Sequence, residues 1–345
     1  MNTPLNPPTP VINGSPLLKW FRANLKTSIT ALLIACFSLW SIQSGKAATF
    51  VWDITPGTVG AGDSAITGGS GTWNLANGNW TTDLGVNNVL WGNTSADDAI
   101  FGGTSGTITI NTGTGITANK LTFNVDGYIL NGNVAADVIT LAGTTPTIGV
   151  TTSGHTATIN AILAGAAGLT TNGAGTLVLS GANTYTGITT VSAGSVKLGN
   201  ASALGGAGNG NHTIVAAGAT LDLNGFNVAE QFGPSAATFA DAFGGATAIL
   251  TNSSATAAAV TGDINFDGGG AFTVNGTGDI TLSRVRRANG SSGDSIITKE
   301  GANILILAGT ADNSAAAVVV NNGVVQLNKG GSGVRALGGN STIGA

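Results

Sequence analysis

The chain has 345 residues, of which 55 are glycine, 42% are hydrophobic and only 8% are charged. That glycine content works against helices, and an apolar, weakly charged chain has the opposite signature from disorder, so short strands joined by turns remain. Twelve basic residues face sixteen acidic ones, and four of the bases (Lys19, Arg22, Lys26 and Lys46) precede residue 48; the rest is more acidic still and lacks the basic face that nucleic acid requires.

Residues 1–47 read as an N-terminal extension and secretory signal. Lys19, Arg22 and Lys26 form a positive region, Ile29 to Trp40 is an uncharged apolar run, and Ser44, Gly45, Ala47 and Ala48 are small. The run is too short to span a bilayer, and cleavage after Ala47 fits the small-residue rule. The single cysteine, Cys36, lies inside this segment, so the exported chain has no thiol and no disulfide and must be held by backbone ladders and packing.

Beyond the signal, short stretches alternate with period two and close on Gly or Asn. In chain order they are Thr107–Asn111, Lys120–Asn124, Tyr128–Asn131, Val138–Leu141, Thr176–Ser180, Ser195–Leu198, Thr220–Leu223, Asp279–Leu282, Ile304–Leu307 and Val324–Leu327. An internal repeat decides how they are arranged. Residues 169–206 align with residues 297–339: Gly173, Leu179 and Gly181 fall on Gly301, Leu307 and Gly309, and Gly194, Val196 and Leu198 fall on Gly323, Val325 and Leu327 after one inserted residue. Units of about 20–25 residues, each made of strands and glycine turns, predict the stacked coils of a β-solenoid. A β-sandwich does not account for the repeat.

The stretch Gly173 to Gly187 (GAGTLVLSGANTYTG), continued by Thr189–Thr190–Val191 and Gly194, resembles the autotransporter-associated β-strand repeat of bacterial autotransporter passenger regions. The second copy departs from it at Ala311–Asp312–Asn313–Ser314. The segment from Gly71–Thr72–Trp73 through Asn79–Trp80 to Phe101–Gly102–Gly103 resembles the portion that precedes such repeats. The resemblance implies an all-β, right-handed parallel β-helix displayed on or secreted from a Gram-negative-type bacterium, with an outer-membrane translocator outside this sequence. Residues 48–105 are then expected to cap the solenoid and residues 106–345 to form the β-helix. The chain ends where a next strand is due, which is expected of a segment of a longer protein.

The sequence assigns no residue to catalysis, no cofactor and no metal. His155 and His212 each precede a strand in turn-like surroundings, without partners at ligand spacing. Asp97 and Asp98 are adjacent, which puts neighbouring side chains on opposite faces of a strand. Asp263 and Asp267 are the one pair whose spacing could place two carboxylates on one side, as a glycosidase needs; turn capping is the simpler reading of an Asp beside Gly. Trp52, Trp73, Trp80 and Trp91 form either a hydrophobic end cap or an aromatic platform for sugars, and the cap is favoured. Arg284, Arg286 and Arg287 cannot continue an inward-facing alternation unpaired, so the strand is expected to end or bulge near Ser283 and leave them on a loop, solvated or, as the alternative, in contact with an anionic polysaccharide. The glycine-rich stretch Gly206 to Gly210 lacks the helix a phosphate loop requires. The expected function is a non-enzymatic adhesive passenger that contacts extracellular polysaccharide or other cell surfaces. A carbohydrate-binding module, and then a polysaccharide-degrading β-helix enzyme, are the alternatives.

Overall fold

The computed structural model describes residues 47–234, 241–267, 269–287, 294–314, 316–338 and 342–343. The expected export signal lies outside these residues, apart from Ala47 and Ala48. The described chain is all-β, and parallel sheets stack as a β-solenoid of about nine turns. One three-residue 3-10 turn, Asn209–Asn211, is the only helical element among the described residues, and no helix is long and apolar enough to cross a membrane.

Two faces run along the stack. The first is a nine-stranded sheet whose parallel members include Thr49–Trp52, Asp98–Phe101, Lys120–Phe123, Thr147–Val150, Leu169–Asn172, Thr189–Val191 and Thr213–Val215. Bridges from Thr213 and Val215 through Phe232 and Phe243, and from Phe232 to Ile264, carry it into a second ladder. That ladder consists of Ala258–Phe266, Ile280–Arg287, Ile304–Gly309 and Val324–Lys329. The second face is a single parallel sheet of twelve strands from Gly71–Trp73 to Thr342–Ile343. A third, shorter face (Ile116–Ala118, Ile139–Leu141, Leu163–Gly165) closes the coils of the first half.

Register follows the repeat. Leu177 pairs with Ala157 one coil before and Val196 one coil after, and Leu179 pairs with Ile159 and Leu198. Period-two alternation sends one set of side chains inward along the stacked strands, so Ile159, Leu179 and Leu198 form a fully buried column. Aromatic rings stack in the same way: Phe232, Phe243, Phe266 and Phe272 lie nearly parallel, with the Phe243 and Phe272 centroids 4.3 Å apart. A single coil cannot bury such a column, and stacking does so by giving each side chain a like neighbour above and below.

The two repeat copies sit on opposite faces. In the first copy Leu169–Asn172 belongs to the first face and Thr176–Leu179 to the second; in the second copy Ser295–Lys299 belongs to the second face and Ile304–Gly309 to the first. Leu179 and Leu307 are both fully buried, as their alignment requires, but in different sheets. The repeat therefore encodes a strand, a glycine corner and a strand, and does not specify which face comes first. Gly173 and Gly301 hold that corner at φ 84° and 75°, a conformation costly for residues with a Cβ.

At one end of the first face, Trp80–Thr81 runs antiparallel to Thr49–Trp52, and Asn88–Val89 antiparallel to it. Trp52, Trp73, Trp80 and Trp91 cluster there with ring centroids about 5 Å apart, in mostly edge-to-face contact, and all four are buried. Rings packed in this way have no free face to offer a sugar.

Candidate functional site

The charged groups named from the sequence are placed as follows. Asp97 is buried and accepts the backbone N–H of Thr94 through Oδ2 at 2.8 Å. Asp98 turns the other way, to Lys120 at 3.3 Å and the Asn119 amide at 2.8 Å. His155 lies in the turn before Thr156–Ile159. His212 does not sit on a surface turn: it is buried, and its carbonyl accepts the Thr189 N–H, because the chain is already entering the ladder at that point.

The expected bulge near Ser283 is present, on the neighbouring strand, but the arginines are not on a loop. The strand does not end at Ser283 but continues to Arg287. An extra residue in the neighbouring strand, between Val260 and Asp263, shifts the register. Inward positions then change from Ile280 and Leu282 to Val285, which turns Arg284 and Arg286 outward. Asp263 is no turn cap. Its Oδ2 accepts Arg286 Nε at 2.9 Å and Arg284 Nη1 at 3.3 Å. Arg287 pairs with Asp294.

Other polar groups, not singled out by the sequence, hold the coils together. Asn183 accepts the Leu163 N–H at 2.8 Å and donates to the Ala203 carbonyl at 2.6 Å, so one buried amide ties three successive coils. Asn313 does the same between Val285 and Ala336, at 2.8 Å each. The second repeat copy thus keeps the asparagine bridge at a displaced position, inside the turn where its sequence departs from the first. Asn183→Ala is expected to leave an N–H and a carbonyl unsatisfied and to cost about 2–3 kcal/mol, read as a lower denaturant midpoint with unchanged slope.

Asp137 is similarly committed. Burial opposes its charge, but backbone N–H groups of Thr112, Gly113 and Val134 outweigh burial and hold the carboxyl below its ordinary range. It lines a shallow pocket with Asn133, Asn160 and Ile162, yet its oxygens already serve as acceptors for the 112–113 corner. Lys299 is fully buried, with its ammonium on the carbonyls of Glu300 and Gly301 and on Asn303 Oδ1 at 2.8 Å; burial pulls its pKa down. Glu230 is buried with one side-chain donor, Thr213 Oγ1 at 2.8 Å, and burial pushes its pKa up to about 8. Thr213 is the register partner of Thr189, whose hydroxyl lies 2.7 Å from the buried Tyr185 phenol. Among the described residues no group of three or more His, Cys, Asp or Glu is placed to hold a metal ion.

Residues 169–198 and 297–327 match the Passenger-associated-transport-repeat family, the same segments whose register and asparagine bridges are described above. The chain carries two passenger-associated transport repeats. It is also 38% identical over 215 residues to the adhesin BmaC autotransporter of Brucella suis biovar 1 (strain 1330). That match covers 61% of this chain and 6% of the adhesin, so the chain spans about 6% of the length of the curated relative it matches. No solved structure matches. The passenger repeats and the adhesin match place this passenger at the cell surface or in the secreted fraction of a Gram-negative bacterium.

Proposed function

We propose that the chain is a non-catalytic adhesive segment of an autotransporter passenger. The observation that carries this reading is the 38% identity over 215 residues to an adhesin, which lies over a scaffold of stacked coils. The chemistry of the charged groups supports it. Asp97, Asp137 and Asp263 have their carboxylates engaged by backbone N–H groups or arginines, whereas general acid–base work needs titratable groups that converge on a substrate. Threonine- and asparagine-rich flanks suit weak contacts that repeat from coil to coil and add through multivalency.

In this reading residues 1–47 are an export signal removed on secretion, and the buried tryptophans of residues 48–105 cap the stack. The stack occupies residues 106–345. An outer-membrane translocator is the export partner. No cofactor is required. The test is to display residues 48–345 on an otherwise non-adherent bacterium and score cell attachment beside a polysaccharide-degradation screen. Attachment without degradation is the expected result. Turnover of a polysaccharide that is lost on changing one carboxylate would replace this reading with the enzymatic one.

A further inference from the structure

Of the eight basic residues after residue 48, three lie together on the outer side of the first face near its far end, Arg284, Arg286 and Lys329, and Arg335 follows with its backbone on Asp312. Two others, Lys120 and Lys197, are each paired with their own aspartate, and Lys299 is buried. Arg284 and Arg286 stand on Ile280–Arg287, and Lys329 stands two strands further along, on Val324–Lys329. Lys329 reaches back so that its ammonium donates to the carbonyls of Ser283 (2.7 Å) and Ala311 (2.8 Å). Arg335 is exposed, with its backbone N–H on Asp312.

This charge is under-compensated. One carboxylate, Asp263, serves both guanidiniums and takes one N–H from each. A guanidinium carries five such donors, and 38% of the Arg284 side chain is exposed. Burial and the neighbouring Arg284 charge both disfavour the Lys329 ammonium, and Asp312 partly offsets them, so three cations share the carboxylates of Asp263 and Asp312. The strand between them presents Gly309 opposite Lys329, with φ 89°. A Cβ there would lie 2.6 Å from the Ser283 carbonyl, so the position stays bare. The result is a cationic strip with a side-chain-free step at its middle, on an otherwise acidic molecule.

We propose that this strip binds an extended anionic polysaccharide lying along the solenoid axis. Strands two apart are separated by about 10 Å, but Lys329 reaches back to the Ser283 carbonyl, so its ammonium and the two guanidiniums form one compact cationic cluster for the anionic groups of a chain that passes over it. Forked guanidiniums suit carboxylate and sulfate groups. The inference supplies a ligand class for the adhesive reading and rests on it.

The test uses the purified exported chain, with immobilised alginate and heparin as probes and a DNA duplex as competitor. The expected result is salt-sensitive binding that falls about tenfold in Arg284→Gln/Lys329→Gln and by a smaller factor in Arg284→Lys, which keeps the charge but loses the fork. Arg335→Gln, an exposed site that does not endanger folding, should weaken binding by a smaller factor. Lys120→Gln, which removes the same charge elsewhere, should change nothing. Absence of binding to both polysaccharides, an equal loss with Lys120→Gln, or complete displacement by DNA would overturn the proposal. Attachment of displaying cells is scored in parallel. Cells that still adhere with Arg284→Gln/Lys329→Gln would sink the strip while leaving the adhesive reading intact, and binding of the soluble chain without cell attachment would do the reverse.

Discussion

Leu179→Asp is expected to destabilise the coils around residues 169–206 by about 4 kcal/mol or more. The side chain is fully buried between Ile159 and Leu198 in consecutive coils. The substitution deletes the packed methyls and inserts a charge with no partner in the column. Thr186→Asp, seven residues further along at an exposed position, should change stability by no more than about 0.5 kcal/mol. Because each coil contacts mainly its neighbours, the damage should be regional. Hydrogen exchange should accelerate first in Thr156–Ile159, Thr176–Leu179 and Ser195–Leu198, with the tryptophan-packed end protected longer. Equal effects of the two substitutions would contradict the inside–outside assignment.

Stability is expected to decline as pH rises from about 4.5 to about 8, and Glu230 is the cause. Burial raises its folded pKa from 4.5 to about 8. Below 4.5 the carboxyl is protonated in both states and costs nothing. Between 4.5 and 8 the unfolded chain ionises while the folded chain keeps its proton, so unfolding releases one proton and the native state loses free energy with each pH step. The loss is complete once pH exceeds the folded value and amounts to on the order of 5 kcal/mol. Glu230→Gln keeps an acceptor for Thr213 and removes the titration. It should equal the parent near pH 4, exceed it at pH 8, and flatten the stability profile between. Asp137 acts in the opposite sense: its lowered pKa contributes stability that is present at neutral pH and lost in acid, so the two effects occupy separate windows. A variant whose profile parallels that of the parent from pH 5 to 8 would remove Glu230 from this role.

Much of the architecture is readable from local chemistry. Alternating Leu, Val and Ile between Gly or Asn corners specify strands, because period two and positive-φ turns are properties of neighbouring residues. The match between residues 169–206 and 297–339 specifies stacking, because a unit that recurs must meet copies of itself. That is why Leu179 and Leu307 could be called buried from their spacing alone, and both are. What spacing could not supply is set by contacts between coils. Which face a repeat copy occupies depends on how many half-coils lie between the copies. Arg284 and Arg286 remain in a strand because the neighbouring strand carries an extra residue and Asp263 faces them, and neither fact is local to the arginines. His212, Glu230 and Lys299 are buried by neighbouring coils, and the asparagine bridges join residues some twenty or more positions apart. A linear sequence states which side chains alternate; only the stacked coil decides which polar groups are enclosed and which positive charges are left without enough carboxylates to balance them.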